Sequence, residues 1–142
     1  MVKKMFFMLI CFISLTIFIS TLHGQGSKKT ITLPSGEVVC DLNGEWDAFV
    51  ENYGVLTGSP NYSQIMKITQ TGSSFVAIRM TADSWNKKGS QSLEGELDKS
   101  GIKKVTVLFT FWAPEEGKGQ ISDDGNKIII KDDKHILTLT RK

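Results

Sequence analysis

Lys103-Lys104-Val105-Thr106-Val107-Leu108-Phe109-Thr110-Phe111-Trp112 is the stretch on which the fold turns. Val105, Val107, Phe109 and Phe111 alternate with Lys104, Thr106 and Thr110. A period of two belongs to a strand with one face buried and the other in water. The same alternation returns at His135–Arg141, where Leu137 and Leu139 stand against Thr138 and Thr140. No window after residue 24 repeats apolar residues at i, i+3, i+4 and i+7, so no long helix is expected.

Working outward, strand signals bounded by turn residues recur along the chain. The expected strands are Gly44–Val50, Ile65–Gln70, Ser73–Met80, Gln91–Leu97, Lys103–Trp112, Lys118–Ser122, Lys127–Lys131 and His135–Arg141. Thr71-Gly72, Asp98-Lys99-Ser100-Gly101 and Asp123-Asp124-Gly125-Asn126 read as tight turns, with Gly, Asn or Asp where positive φ is needed. The connections 51–64, 81–90 and 113–117 are longer. In an up-and-down meander alternate connections share an end, so tight turns gather at one end and long loops at the other. Asp132-Asp133-Lys134 is the short exception at the long-loop end. Eight antiparallel strands with one apolar face each can bury that face by closing into a barrel, which also removes exposed edges. The expected fold is therefore all-β, an eight-stranded antiparallel up-and-down barrel. A two-sheet β-sandwich built from the same strands is the alternative.

The strands occupy residues 25–142, read as a single β-barrel domain; residues 1–24 read as a secretory signal peptide. Lys3 and Lys4 precede an uncharged apolar run from Met5 to Leu22, followed by small or polar residues to Gly24. Export to a secreted or periplasmic location follows, with the membrane involved only through this segment if it stays uncleaved as an anchor. Beyond Gly24 the chain holds 15 basic and 15 acidic side chains. A neutral domain without a basic stripe is a poor partner for nucleic acid, whose binding depends on neutralising phosphates. Losing the leader removes Cys11 and leaves Cys40, which reads as a small buried hydrophobe on the strand face of Val38.

Chemistry-bearing patterns are sparse. The expected mature chain has one histidine, His135, with no nucleophile elbow beside it, so an enzyme is not expected. One His and one Cys make no zinc cluster, and Asp123-Asp124-Gly125-Asn126 lacks the spaced ligands of a calcium loop. No nucleotide-binding glycine motif occurs, and no cofactor is expected. Glu94 and Glu96 share a strand face opposite in parity to Leu93 and Leu97, which points them to solvent.

Aromatic placement is the functional hint. Tyr53 and Tyr62, Trp85, and Trp112 fall in or beside three long loops that share one end, and His135 lies near that end. Met66, Phe109 and Phe111 take the inner face below them. For the third strand, an inward Arg79 near the mouth could hold a ligand carboxylate, but Val76, Ile78 and Met80 make the more apolar face, which would put Arg79 outside.

Asp41-Leu42-Asn43-Gly44-Glu45-Trp46, opening the first strand, resembles the G-x-W motif at the start of lipocalins and related calycin barrels. The resemblance implies that Trp46 sits at the closed end beneath Arg141, the end of the last strand. It also implies a long first loop over an open end, and a small apolar ligand held there. The family's second motif is absent, Ser122-Asp123-Asp124-Gly125 standing in its place, and a helix after the last strand is absent too. The expected function is an exported lipocalin-like protein that binds a small hydrophobic or amphipathic ligand without transforming it. Tyr53, Met66, Trp85, Phe109, Phe111, Trp112 and His135 are the ligand-facing candidates. The alternative is a cell-envelope protein-interaction module with a filled barrel, its protein partner unknown.

Overall fold

Each alternating stretch becomes a strand in the computed structural model, which describes residues 27–84, 86–110 and 112–142. The leader expected at 1–24, Trp85 and Phe111 lie outside the described residues. A short hairpin, β1 (Thr30–Thr32) and β2 (Val38–Cys40), comes first. Then follow β3 (Gly44–Asn52), β4 (Tyr62–Thr71), β5 (Ser74–Arg79), β6 (Gln91–Asp98), β7 (Gly101–Val107), β8 (Glu115–Ile121), β9 (Lys127–Lys131) and β10 (His135–Arg141). β3 to β10 pair antiparallel in sequence order, and β10 closes on β3, giving an eight-stranded up-and-down barrel rather than a sandwich. The closing register sets Arg141 opposite Trp46 and His135 opposite Asn52.

Closure buries one face of every barrel strand except β8, whose inner face is part-buried. Trp46, Ala48 and Val50 of β3 face Met66 and Ile68 of β4, Phe75 and Ala77 of β5, and Leu93 and Leu97 of β6. Val105 and Val107, Ile128 and Ile130, and Leu137 and Leu139 complete the core. β8 contributes glycine instead of bulk. A Cβ on Gly119 would stand 2.6 Å from Ile102 Cδ1, so the isoleucine occupies the room that glycine leaves. Gly95 serves Phe75 likewise, with ring carbons 2.6–2.7 Å from where a Cβ would be.

The β1–β2 hairpin caps the tight-turn end and was not expected from the sequence. Its strands are three residues each, too short for alternation to register, although Leu33-Pro34-Ser35-Gly36 is a turn signature. Val39, Cys40 and Leu42 leave the hairpin to join the core. Gln70 locks it in place: its amide nitrogen donates to Cys40 O (3.1 Å), and its oxygen accepts from Leu42 N (2.7 Å).

Trp46 lies just inside this cap, fully buried, and its Nε1 donates to Leu42 O at 3.0 Å. The Arg141 guanidinium carbon is 4.4 Å from the Trp46 ring centroid. Nη1 of Arg141 donates to Asn43 O (2.9 Å) and Nη2 to Asp41 O (2.6 Å), so the last strand grips the chain that leads into the first. Gly44 makes that grip possible. Its φ of +131° is open to glycine, and Arg141 Nη1 passes 3.7 Å from the position of a Cβ.

Three expectations are corrected. β7 ends at Val107, not Trp112, because β8 pairs only with Val105–Val107 and the chain then leaves the sheet. Arg79 is not outside: Phe75, Ala77 and Arg79 form the buried face of β5, and Val76 is 38% exposed. Hydropathy favoured the other parity, but the glycine at position 95 makes room for Phe75, and backbone carbonyls await the guanidinium. Cys40 is buried as expected, yet Val38 on its strand face is 49% exposed, because Val39 and Cys40 both turn inward where the hairpin meets the barrel.

Burial raises the Cys40 thiol pKa, with Lys28 and Arg141 partly offsetting it, so the group stays protonated and enclosed. Alkylation of the native protein should be slower than that of the urea-unfolded chain by about two orders of magnitude. Mass spectrometry of iodoacetamide-treated samples reads this directly. Equal labelling rates would place the thiol at the surface.

Candidate functional site

Four connections meet at the end of the barrel opposite Trp46: 53–61, 80–90, 108–114 and 132–134. Between them lies an open cavity of about 530 Å³. Its apolar wall is Leu56 and Pro60 from the first connection, Tyr62 at the start of β4, and Phe109 and Trp112 from the third. Asn52, Asn61, Asp83, Asn86 and Thr110 supply polar lining, and His135 closes one side. An apolar wall with a few placed polar groups is the usual make-up of a small-molecule site.

Side-chain hydrogen bonds hold the rim in shape. Asn52 Nδ2 donates to Pro60 O (2.8 Å), and Asn52 N donates to Asn61 Oδ1 (2.9 Å), folding the first connection back on its own strand. Asp83 accepts from Asn86 N (2.7 Å) and Nδ2 (3.1 Å), while Thr110 Oγ1 donates to Asn86 Oδ1 (3.2 Å). The second and third connections are thereby joined. Arg79 fixes their roots: Nη1 donates to Ser90 Oγ (3.1 Å) and Gln91 O (2.8 Å), and Nη2 donates to Leu108 O (2.8 Å). Burial lowers the Arg79 pKa, with Tyr62 and Asp83 acting against that.

His135 is a buried polar group of the cavity wall. It is the first residue of β10, buried, and its ring stacks against Phe109 at a centroid distance of 4.4 Å. Nδ1 lies 3.1 Å from each carboxylate oxygen of buried Asp132. Asp132 Oδ1 also accepts from the backbone N–H of Lys134 (2.7 Å) and of His135 (2.6 Å). Burial pushes the Asp132 carboxyl up, but these hydrogen bonds outweigh it and hold the group below the usual carboxylate range. An ionised Asp132 fixes the proton on Nδ1, which leaves Nε2 as an acceptor in the neutral ring. Nε2 makes no hydrogen bond among the described residues, and neither does the Tyr62 hydroxyl, whose pKa burial raises.

Glu115 stands near this pair, and ligating atoms of Glu115, Asp132 and His135 lie within 4.8 Å of one another. Lys134 competes with any cation for this donor set. Asp132 is committed to three N–H donors, and Glu115 Oε1 is ion-paired with Lys134 Nζ. The four side chains form one polar network in which Lys134 holds the place of a cation.

Of the seven ligand-facing candidates, Phe109, Trp112 and His135 line the cavity. Tyr53 does not. Its hydroxyl donates to Asp132 O and Lys131 Nζ lies 5.1 Å from its ring centroid, so it braces the β9–β10 turn from outside. Met66 is fully buried in the packed core below. Trp85 and Phe111 lie outside the described residues. Tyr62, one of the aromatics expected at this end, lines the cavity as well, whereas Asp83, Asn86 and Asp132 were missed as site residues. The Asp132-x-x-His135 spacing across a tight turn could have suggested the pair, but Asp132-Asp133 reads first as turn chemistry.

Comparison with protein-family models, with curated proteins and with solved structures found no match for this chain.

Proposed function

We propose that this chain is an exported, lipocalin-like barrel that binds a small hydrophobic or amphipathic molecule at its mouth without transforming it. The cavity between the four connections carries the reading, because its volume suits one small molecule and its wall joins aromatic to hydrogen-bonding groups. The likeness to lipocalins is supported by Trp46 opening the first barrel strand beneath Arg141 of the last. An apolar ligand gains about 25 cal/mol per Å² buried, less the cost of immobilising it, which puts binding near the micromolar range, about −8 kcal/mol.

Trp112 is 58% exposed at the rim and reports occupancy. Titration with a fluorescence-silent amphiphile such as decan-1-ol should shift its emission, and Trp112→Phe should remove that part of the response. A flat titration together with an unchanged melting temperature would refute ligand binding. A second reading, a cell-envelope interaction module, is favoured by the solid packing beneath the cavity and by Val55, 82% exposed on the first connection. Stable co-purification of one envelope protein with an empty mouth would favour it.

A further inference from the structure

The geometry points to a ligand with an uncharged, hydrogen-donating head, an alcohol rather than a carboxylate, received by His135 Nε2. This inference rests on the ligand-binding reading above and names the class of molecule.

Three observations carry it. The first is the free acceptor. His135 is buried, its Nδ1 is held by Asp132, and its Nε2 has no partner among the described residues although the residue lines the cavity. A buried polar group left unmatched by its ligand costs binding energy, so the molecule that donates there is favoured over one that cannot.

The second is charge. No lysine or arginine is among the described lining residues, whereas Asp83 is one of them and Asp132 stands directly behind His135. Lys134, a cation of the rim, is ion-paired with Glu115, and its Nζ lies 5.3 Å from the Trp112 ring centroid. Arg79 gives its guanidinium to Ser90, Gln91 and Leu108 and does not line the cavity. A ligand carboxylate would be desolvated against two carboxylates with no cation to receive it.

The third is the neighbouring donor. Tyr62 lines the same cavity, and its hydroxyl has no hydrogen-bond partner among the described residues. Phe109 stacks on His135, which sets the acceptor beside apolar wall, as an alkyl or ring alcohol requires.

The test compares decan-1-ol with decanoate on the wild-type protein at a pH of about 8.5, where the decanoate carboxyl is fully ionised. Calorimetry, or Trp112 fluorescence, reads the affinities. The alcohol should bind at least about tenfold more tightly than the carboxylate, the size expected for one matched hydrogen bond plus one unmatched charge. His135→Gln should weaken decan-1-ol by about fivefold to tenfold and leave decanoate little changed. Because the wild-type comparison needs no variant, a folding defect in His135→Gln cannot obscure the result. Equal binding of the two probes, or tighter binding of decanoate, would overturn the inference and leave the ligand-binding cavity standing. Binding of neither probe would overturn both.

Discussion

Trp46→Ala should leave the domain at or below the threshold of folding. Trp46 is fully buried, donates to Leu42 O, and carries the Arg141 guanidinium 4.4 Å from its ring centroid. Truncating a buried tryptophan costs about 3–5 kcal/mol, against a total stability of about 5–15 kcal/mol for a domain. The loss is compounded here because the ring is the floor on which the hairpin cap and the end of β10 both rest. At about 4 °C per kcal/mol the melting temperature should fall by about 12–20 °C. Arg141→Ala removes the cation–π contact, about 0.5–2 kcal/mol, and the bonds to Asn43 O and Asp41 O, so its effect should be clearly smaller. Calorimetric melting of the two variants gives the order. A Trp46→Ala protein that melts with the wild type would mean that the closed end is not built on this residue.

Arg79→Ala should be the most damaging change near the mouth. The guanidinium is buried and ties Gln91 O at the head of β6 to Leu108 O in the third connection. Alanine leaves both carbonyls without that donor and opens a void beneath the rim, a combined cost of about 3–4 kcal/mol. Arg79→Met refills most of the void but supplies no donor, so it should recover part of the stability and little of the rim's order. Denaturant unfolding measures the first effect, and amide hydrogen exchange at residues 86–110 the second. If Met restores both fully, Arg79 acts as filler and the carbonyl bonds carry little.

The barrel was readable because its information is periodic. Leu137 and Leu139 against Thr138 and Thr140 fix one face of β10 without reference to any neighbour, and eight strand stretches with tight turns at alternate connections fix the meander. Where facing depends on a distant partner, the pattern misled. The choice between Phe75-Ala77-Arg79 and Val76-Ile78-Met80 is made by Gly95 on the next strand and by carbonyls at the barrel's end. Local hydropathy contains neither. The hairpin cap was missed because its three-residue strands are held by Gln70, thirty positions from Cys40. The site was half readable. Loop lengths put Trp112 and His135 at one end, but the Asp132–His135 pair, the clasp of Asn86 with Asp83 and Thr110, and the outward turn of Tyr53 are tertiary facts.

Amide-resolved NMR of the ¹⁵N-labelled protein titrated with decan-1-ol asks where a ligand sits. Shift changes should gather at Leu56, Tyr62, Asn86, Phe109, Trp112 and His135 and be negligible at Trp46, Val39 and Leu42 at the closed end. Saturation should arrive at one molecule per chain. Shifts spread along the outer faces of the strands, or the absence of any saturable change at the mouth, would contradict a ligand-binding barrel.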